Sequence, residues 1–187
     1  MPEMNEQNLL EVSGLKKYFP IEEGFFRKVT GYVKAVDNIG FSIKKGQTMG
    51  LVGESGCGKT TTARTIIRAM DPTEGEILFK SQEDQIVDIA KLNKKELDRI
   101  RSEIQMIFQD PFSSLNPRLS VLKIIAEPLI THGWKKAEYT ERVNELLNLV
   151  GLDPTARSRF PHAFSGGQRQ RIGVARALSI EPNLIIA

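Results

Sequence analysis

The chain predicts a mixed α/β fold with a helical insert, and three features of its 187 residues carry that reading. A short continuous apolar run, Thr48-Met49-Gly50-Leu51-Val52, has the texture of a buried parallel strand, and it feeds a glycine-rich loop and then a helical stretch. Upstream, Ile39, Phe41 and Ile43 alternate with small or polar residues, the period of a half-buried strand, and Lys45-Gly46 closes it with a turn. From Ser120 onward the hydrophobic period becomes that of helices.

The remaining elements follow in order. Leu9-Leu10-Glu11-Val12 reads as a first strand, and 20–34, rich in glycine and aromatics (Phe25, Phe26, Tyr32), as an extended hairpin or loop. The helix after the glycine-rich loop runs through Met70 and is stopped by Asp71-Pro72. Strand-like segments recur at 76–79, 86–89 and 104–108, with a charged helical stretch at 94–101. Val143, Leu146, Leu147 and Val150 sit at i, i+3, i+4 and i+7, so one helix face is apolar, and Gly151 is its natural stop. A last helix is expected over 164–179, with Ser165 placed to cap it and Pro182 beyond its end. Leu184-Ile185-Ile186-Ala187 is a short apolar run with no acidic residue after it.

Composition narrows the function. Lys plus Arg number 26 against 23 for Asp plus Glu, a formal charge of +3, so the balance makes no strong electrostatic case for a nucleic-acid partner. One cysteine permits no internal disulfide and fits a reducing compartment. The polar, partly acidic start from Met1 to Asn8 is unlike a signal peptide, and no stretch approaches the roughly 20 apolar residues that span a bilayer. Work at a membrane would go through a partner.

Gly53-Glu54-Ser55-Gly56-Cys57-Gly58-Lys59-Thr60 matches the full phosphate-binding loop pattern and lies between an expected strand and an expected helix. The glycines let the backbone curl so that successive N–H groups face one anion, and the helix start adds the positive end of its dipole. Lys59 can reach the β- and γ-phosphates, the Thr60 hydroxyl can ligate Mg²⁺, and Thr61 continues the first turn. Cys57, inside the loop, is a small residue at a variable position.

A phosphate loop alone leaves kinases, GTPases, helicases and transporters open. The second half decides among them. Phe164-Ser165-Gly166-Gly167-Gln168 resembles the signature of ATP-binding cassette (ABC) proteins, with Phe at the first position. The resemblance implies a P-loop NTPase core with an N-terminal antiparallel β subdomain and a helical signature subdomain. It implies ATP and Mg²⁺ as ligands, and a head-to-tail dimer in which Ser165, Gly166, Gly167 and Gln168 dock on the γ-phosphate held by the partner's loop. Gln109, after the strand at 104–108, looks like the family's glutamine that touches Mg²⁺ and the attacking water. Tyr18 falls where the family places an aromatic that stacks on adenine, with Phe19 and Tyr32 as rivals and burial as ordinary core an open alternative.

Further stretches, Lys17-Tyr18-Phe19-Pro20-Ile21 and Phe108-Gln109-Asp110-Pro111-Phe112-Ser113-Ser114-Leu115-Asn116-Pro117-Arg118, look like the ATPase subunits of bacterial oligopeptide and dipeptide importers. That resemblance implies a peripheral protein on the cytoplasmic face of the membrane. Its partners would be integral permease subunits, a second cassette and, indirectly, an extracytoplasmic peptide-binding protein. By this reading 1–118 forms the nucleotide-binding core with its β subdomain, 119–165 the helical subdomain, and 166–187 the signature helix and the start of the Walker B strand. The Walker B acids, the dimer-contacting loop, the switch histidine and the importer's C-terminal extension would lie beyond Ala187, so the chain is expected to be C-terminally incomplete and inactive in hydrolysis by itself. The alternatives are a soluble non-transport ABC ATPase of DNA repair or translation, and a nucleotide-binding module without turnover.

Overall fold

The computed structural model describes residues 4–24, 27–108, 110 and 114–187. They divide at Arg101/Ser102 into two compact units.

The first unit is built on one long hairpin. Strands β1 (Asn8–Glu23) and β2 (Lys28–Lys44) pair antiparallel, so the expected first strand and residues 20–23 and 28–34 are parts of a single ribbon, with Phe25 and Phe26 outside the described residues. With β3 (Glu74–Lys80) and β4 (Ile86–Asp88) they form an antiparallel sheet in the order β2-β1-β3-β4. Its buried face holds Leu10, Val12, Leu15, Ile77 and Phe79. Ile39, Phe41 and Ile43 are half-buried and alternate with exposed neighbours, as their period predicts. Helix α1 (Lys59–Ile66) ends before Met70 because Arg68 takes a left-handed backbone (φ 53°). The Arg68 side chain is tied to Asp71 at 2.9 Å and to the carbonyls of Ile89 and Leu92, and its own carbonyl accepts from Arg101 Nη2 at 2.6 Å. Helix α2 (Lys94–Glu103) opens on a reciprocal cap: Asn93 N–H donates to Glu96 at 2.9 Å, and Glu96 N–H to the Asn93 side chain at 3.1 Å.

One expectation fails here. Thr48–Val52 is not a strand: Leu51 is 47% exposed and Val52 92%. A buried parallel strand is stable only with a hydrogen-bonded neighbour, and no described strand of this unit pairs with 48–52.

The second unit is mainly helical. Helices α3 (Val121–Thr131), α4 (Lys136–Leu149) and α5 (Gly166–Leu178) enclose a core that includes Ile125, Val143, Leu147 and Ile172, each fully buried. Each such side chain contributes about 1.5–3 kcal/mol by leaving water. Two 3-10 turns, Pro154–Ser158 and Pro161–Ala163, join α4 to α5. Strands β5 (Ile104–Met106) and β6 (Leu184–Ile186) pair parallel beside this layer.

Candidate nucleotide site

Residues 53–58 curl into a loop closed by a Cys57 N–H bond to the Glu54 carbonyl (3.3 Å), and Gly58 caps α1 in the left-handed region (φ 94°). The first bond inside the helix runs from Thr62 N–H to the Gly58 carbonyl at 2.8 Å. The N–H groups of Lys59, Thr60 and Thr61 precede it and point out of the helix end, where the dipole is positive. The Lys59 ammonium folds back into the loop mouth, donating to the carbonyls of Gly53 (2.6 Å) and Glu54 (2.7 Å) and lying 3.5 Å from Cys57 Sγ. Two neutral carbonyls are weaker partners for an ammonium than phosphate oxygens, so an incoming polyphosphate exchanges them at a gain.

What seats the loop is a bulge in the hairpin. Lys17 pairs with Val36 and Tyr18 with Lys34, leaving Ala35 as the extra residue of β2. The Ala35 carbonyl oxygen lies where a Gly58 side chain would begin, so the loop reaches β2 only with glycine there. That contact separates the three aromatics. Tyr18 is directly opposite Lys34, the residue next to Ala35, whereas Tyr32 pairs with Pro20, two steps further from the loop. Phe19 follows Tyr18 along the strand and therefore lies on the opposite face of the ribbon, with the Lys17 ammonium 5.0 Å from its ring centre.

Tyr18 is half-buried and held on several sides. Its N–H donates to Thr73 Oγ1 (2.9 Å), its hydroxyl donates to Asp37, and the Lys34 ammonium stands over the ring, 5.3 Å from its centre. The hydrogen bond from Tyr18 holds the Asp37 carboxyl below its ordinary range, and the same bond raises the phenol. Asp37, Lys34 and Ala35 did not stand out in the sequence, because only the register of the bulged hairpin brings them to Tyr18 and the loop.

The signature residues lie in the second unit. Ser165 is the N-cap of α5: its hydroxyl accepts from Gln168 N–H (3.4 Å), and Gln168 Oε1 accepts from Ser165 N–H (2.9 Å). At Gly167 an added side chain would meet nothing within 4 Å, so its own unit does not require glycine there. Toward the other end of α5, Arg176 donates to the Ser114 carbonyl at 2.8 Å, and burial lowers the guanidinium's pKa from its ordinary value. Gln109 lies outside the described residues.

Thr60 is exposed at the first turn of α1. Its hydroxyl is a hard oxygen donor of the kind Mg²⁺ takes together with phosphate and water. Among the described residues no group of three or more His, Cys, Asp or Glu side chains forms a metal site.

The ABC transporter domain family matches residues 36–187, which include both the phosphate loop and the signature. The chain belongs to the ABC transporter family. Among its relatives, the oligopeptide transport ATP-binding protein AppF of Bacillus subtilis (strain 168) is 54% identical over 189 residues, covering all of this chain and 56% of that protein. The oligopeptide transport ATP-binding protein OppF of the same organism is 49% identical, covering 97% of this chain and 56% of that protein. This ABC chain thus spans about half the length of these curated relatives. A solved dimeric structure of the ATP-binding cassette MJ0796, in a post-hydrolysis state bound to ADP and Pi, superposes with a TM-score of 0.80 at 28% identity. The match covers 94% of this chain and 72% of that one, which establishes the ABC ATPase fold.

Proposed function

We propose that this chain forms the ATP-binding, energy-coupling part of a bacterial importer of oligopeptides or dipeptides, with ATP hydrolysis driving the transport cycle. The observation that carries the reading is the pair of glycine-rich helix starts, the Gly53–Thr61 loop seated on the Ala35 bulge and the Ser165–Gln168 cap of α5. The identity to oligopeptide transport ATP-binding proteins supports the peptide branch over a soluble ABC ATPase or a module without turnover. Among the described residues no helix is long and apolar enough to cross a membrane, which suits peripheral attachment to permease subunits at the cytoplasmic face.

In this mechanism the N–H groups of residues 53–61 wrap the phosphates and Lys59 trades its two carbonyls for phosphate oxygens. Tyr18 stacks on the adenine. Thr60, with Gln109, holds Mg²⁺, which supplies charge neutralisation at the phosphates when bound. The α5 start docks on the γ-phosphate in a second cassette's loop, and the open space before Gly167 supports that role, since the glycine keeps the surface clear for a partner.

The test uses Ser165→Arg and Gly167→Ala in the full-length polypeptide. Both should bind ATP as the wild type does while losing roughly tenfold or more in turnover, because the donors they obstruct act on the partner's transition state. Gly167→Ala should also melt no lower than wild type, since alanine suits a helix start better than glycine. Undiminished turnover in both variants would contradict the sandwich dimer.

A further inference from the structure

Asp37 lies two residues beyond Ala35, on which the phosphate loop sits, and binding of phosphates does not itself require it. Its two oxygens serve two residues: one accepts from the Tyr18 hydroxyl, and the other lies 3.4 Å from the Lys34 ammonium. Lys34 in turn stands over the Tyr18 ring, so the three side chains close a small triangle on the exposed side of the hairpin. Two register irregularities set it up. Ala35 is the extra residue between the Tyr18–Lys34 and Lys17–Val36 pairs, and Asp37-Asn38 stand opposite Lys16 alone, with Asn38 in the left-handed region (φ 53°). A regular ladder would point successive side chains to alternate faces, and Asp37 would lie an odd number of positions from Lys34. The bulges remove that alternation and bring residues 34 and 37 to the same ring.

A phenol ring on an exposed ribbon has rotamer freedom to lose when a base stacks on it. A ring already fixed at its hydroxyl and its face has little. We propose that Asp37 is a positioning residue for nucleotide binding: it holds Tyr18, with Lys34 over one face, so that the ring stands beside the phosphate loop before the base arrives. The inference rests on Tyr18 as the adenine-stacking residue. The Ala35 contact with Gly58 makes the arrangement productive, since the residue between Lys34 and Val36 is the one on which the loop sits.

The test compares two probes, Mg-ATP and inorganic tripolyphosphate, in the full-length polypeptide. Tyr18→Ala should weaken ATP on the order of tenfold by loss of stacking. Asp37→Ala should weaken it roughly 2- to 10-fold by leaving the ring to be ordered on binding. Tyr18→Phe, which keeps the ring and loses the hydroxyl donor, should match Asp37→Ala, and the double variant should be no worse than either. Asp37→Asn retains an acceptor for the phenol and should recover most of the affinity. Tripolyphosphate should bind all of these variants as it binds wild type. Equal losses for ATP and tripolyphosphate in Asp37→Ala would overturn the proposal, because Asp37 would then be supporting the loop and not the ring. Should Asp37→Ala fail to fold, Tyr18→Phe with wild-type ATP affinity overturns it equally well. If Tyr18→Ala weakens ATP and neither Asp37→Ala nor Tyr18→Phe does, the adenine reading stands and the positioning role falls. Unchanged ATP affinity in Tyr18→Ala removes both.

Discussion

At Gly58 the backbone stands at φ 94°, and the Ala35 carbonyl oxygen occupies the place of a side chain. Either condition alone disfavours any other residue, and together they make this glycine the joint between the hairpin and the phosphate loop. A left-handed backbone costs an L-residue about 1–3 kcal/mol, and here a methyl group must also push rigid backbone aside. Gly58→Ala should therefore destabilise the fold by about 2 kcal/mol or more and weaken phosphate binding as well. Urea unfolding followed by a nucleotide titration checks both, and an unchanged midpoint would show that loop and bulge separate freely. The glycine's type was legible in the phosphate-loop spacing; its contact was not. The loop pattern states what the backbone must do for an anion, whereas Ala35 becomes its neighbour only through a bulge that no local pattern encodes. Tyr18 illustrates the same limit. Three aromatics compete in the sequence, and only the hairpin register puts Tyr18 opposite Lys34, next to the Ala35 bulge.

Elements were legible where a single face is buried by the chain itself. In α4, Val143, Leu146 and Leu147 are buried at their helical spacing, while Leu149, on the other side, is 71% exposed. Leu147→Ala should lower stability by about 2–5 kcal/mol, and Leu149→Ala by less than about 0.5 kcal/mol. Comparable losses from the two would mean that the helix packs on a different face. The capped start of α5 was equally readable, because a serine followed three residues later by glutamine is a local device. Thr48–Val52 was misread for the opposite reason. Its apolar run is compatible with a buried strand, but a strand's hydrogen bonds belong to its neighbours, and none of the described strands pairs with it. Helix α1 likewise stopped short of Met70 through a long-range network, with Arg101 donating to the Arg68 carbonyl from 33 residues away.

For the whole molecule, the two units hold different parts of one proposed chemistry. The first carries the phosphate loop and Tyr18, the second the signature and the helical layer. The family was readable from two short motifs because both start helices with residue types that physics restricts. The proposed peptide branch rests on the resemblance to oligopeptide transport ATP-binding proteins alone. In the proposed function the chain binds ATP through the 53–61 loop, with Lys59 as its principal cation. Titrating a fluorescent ATP analogue into the full-length polypeptide and its Lys59→Ala variant tests this most directly. Loss of charge-assisted hydrogen bonds to the β- and γ-phosphates should weaken binding about 10- to 100-fold, with the fold's melting temperature little changed because, among the described residues, the ammonium's partners lie in its own loop. Equal affinities for the two proteins would contradict the account.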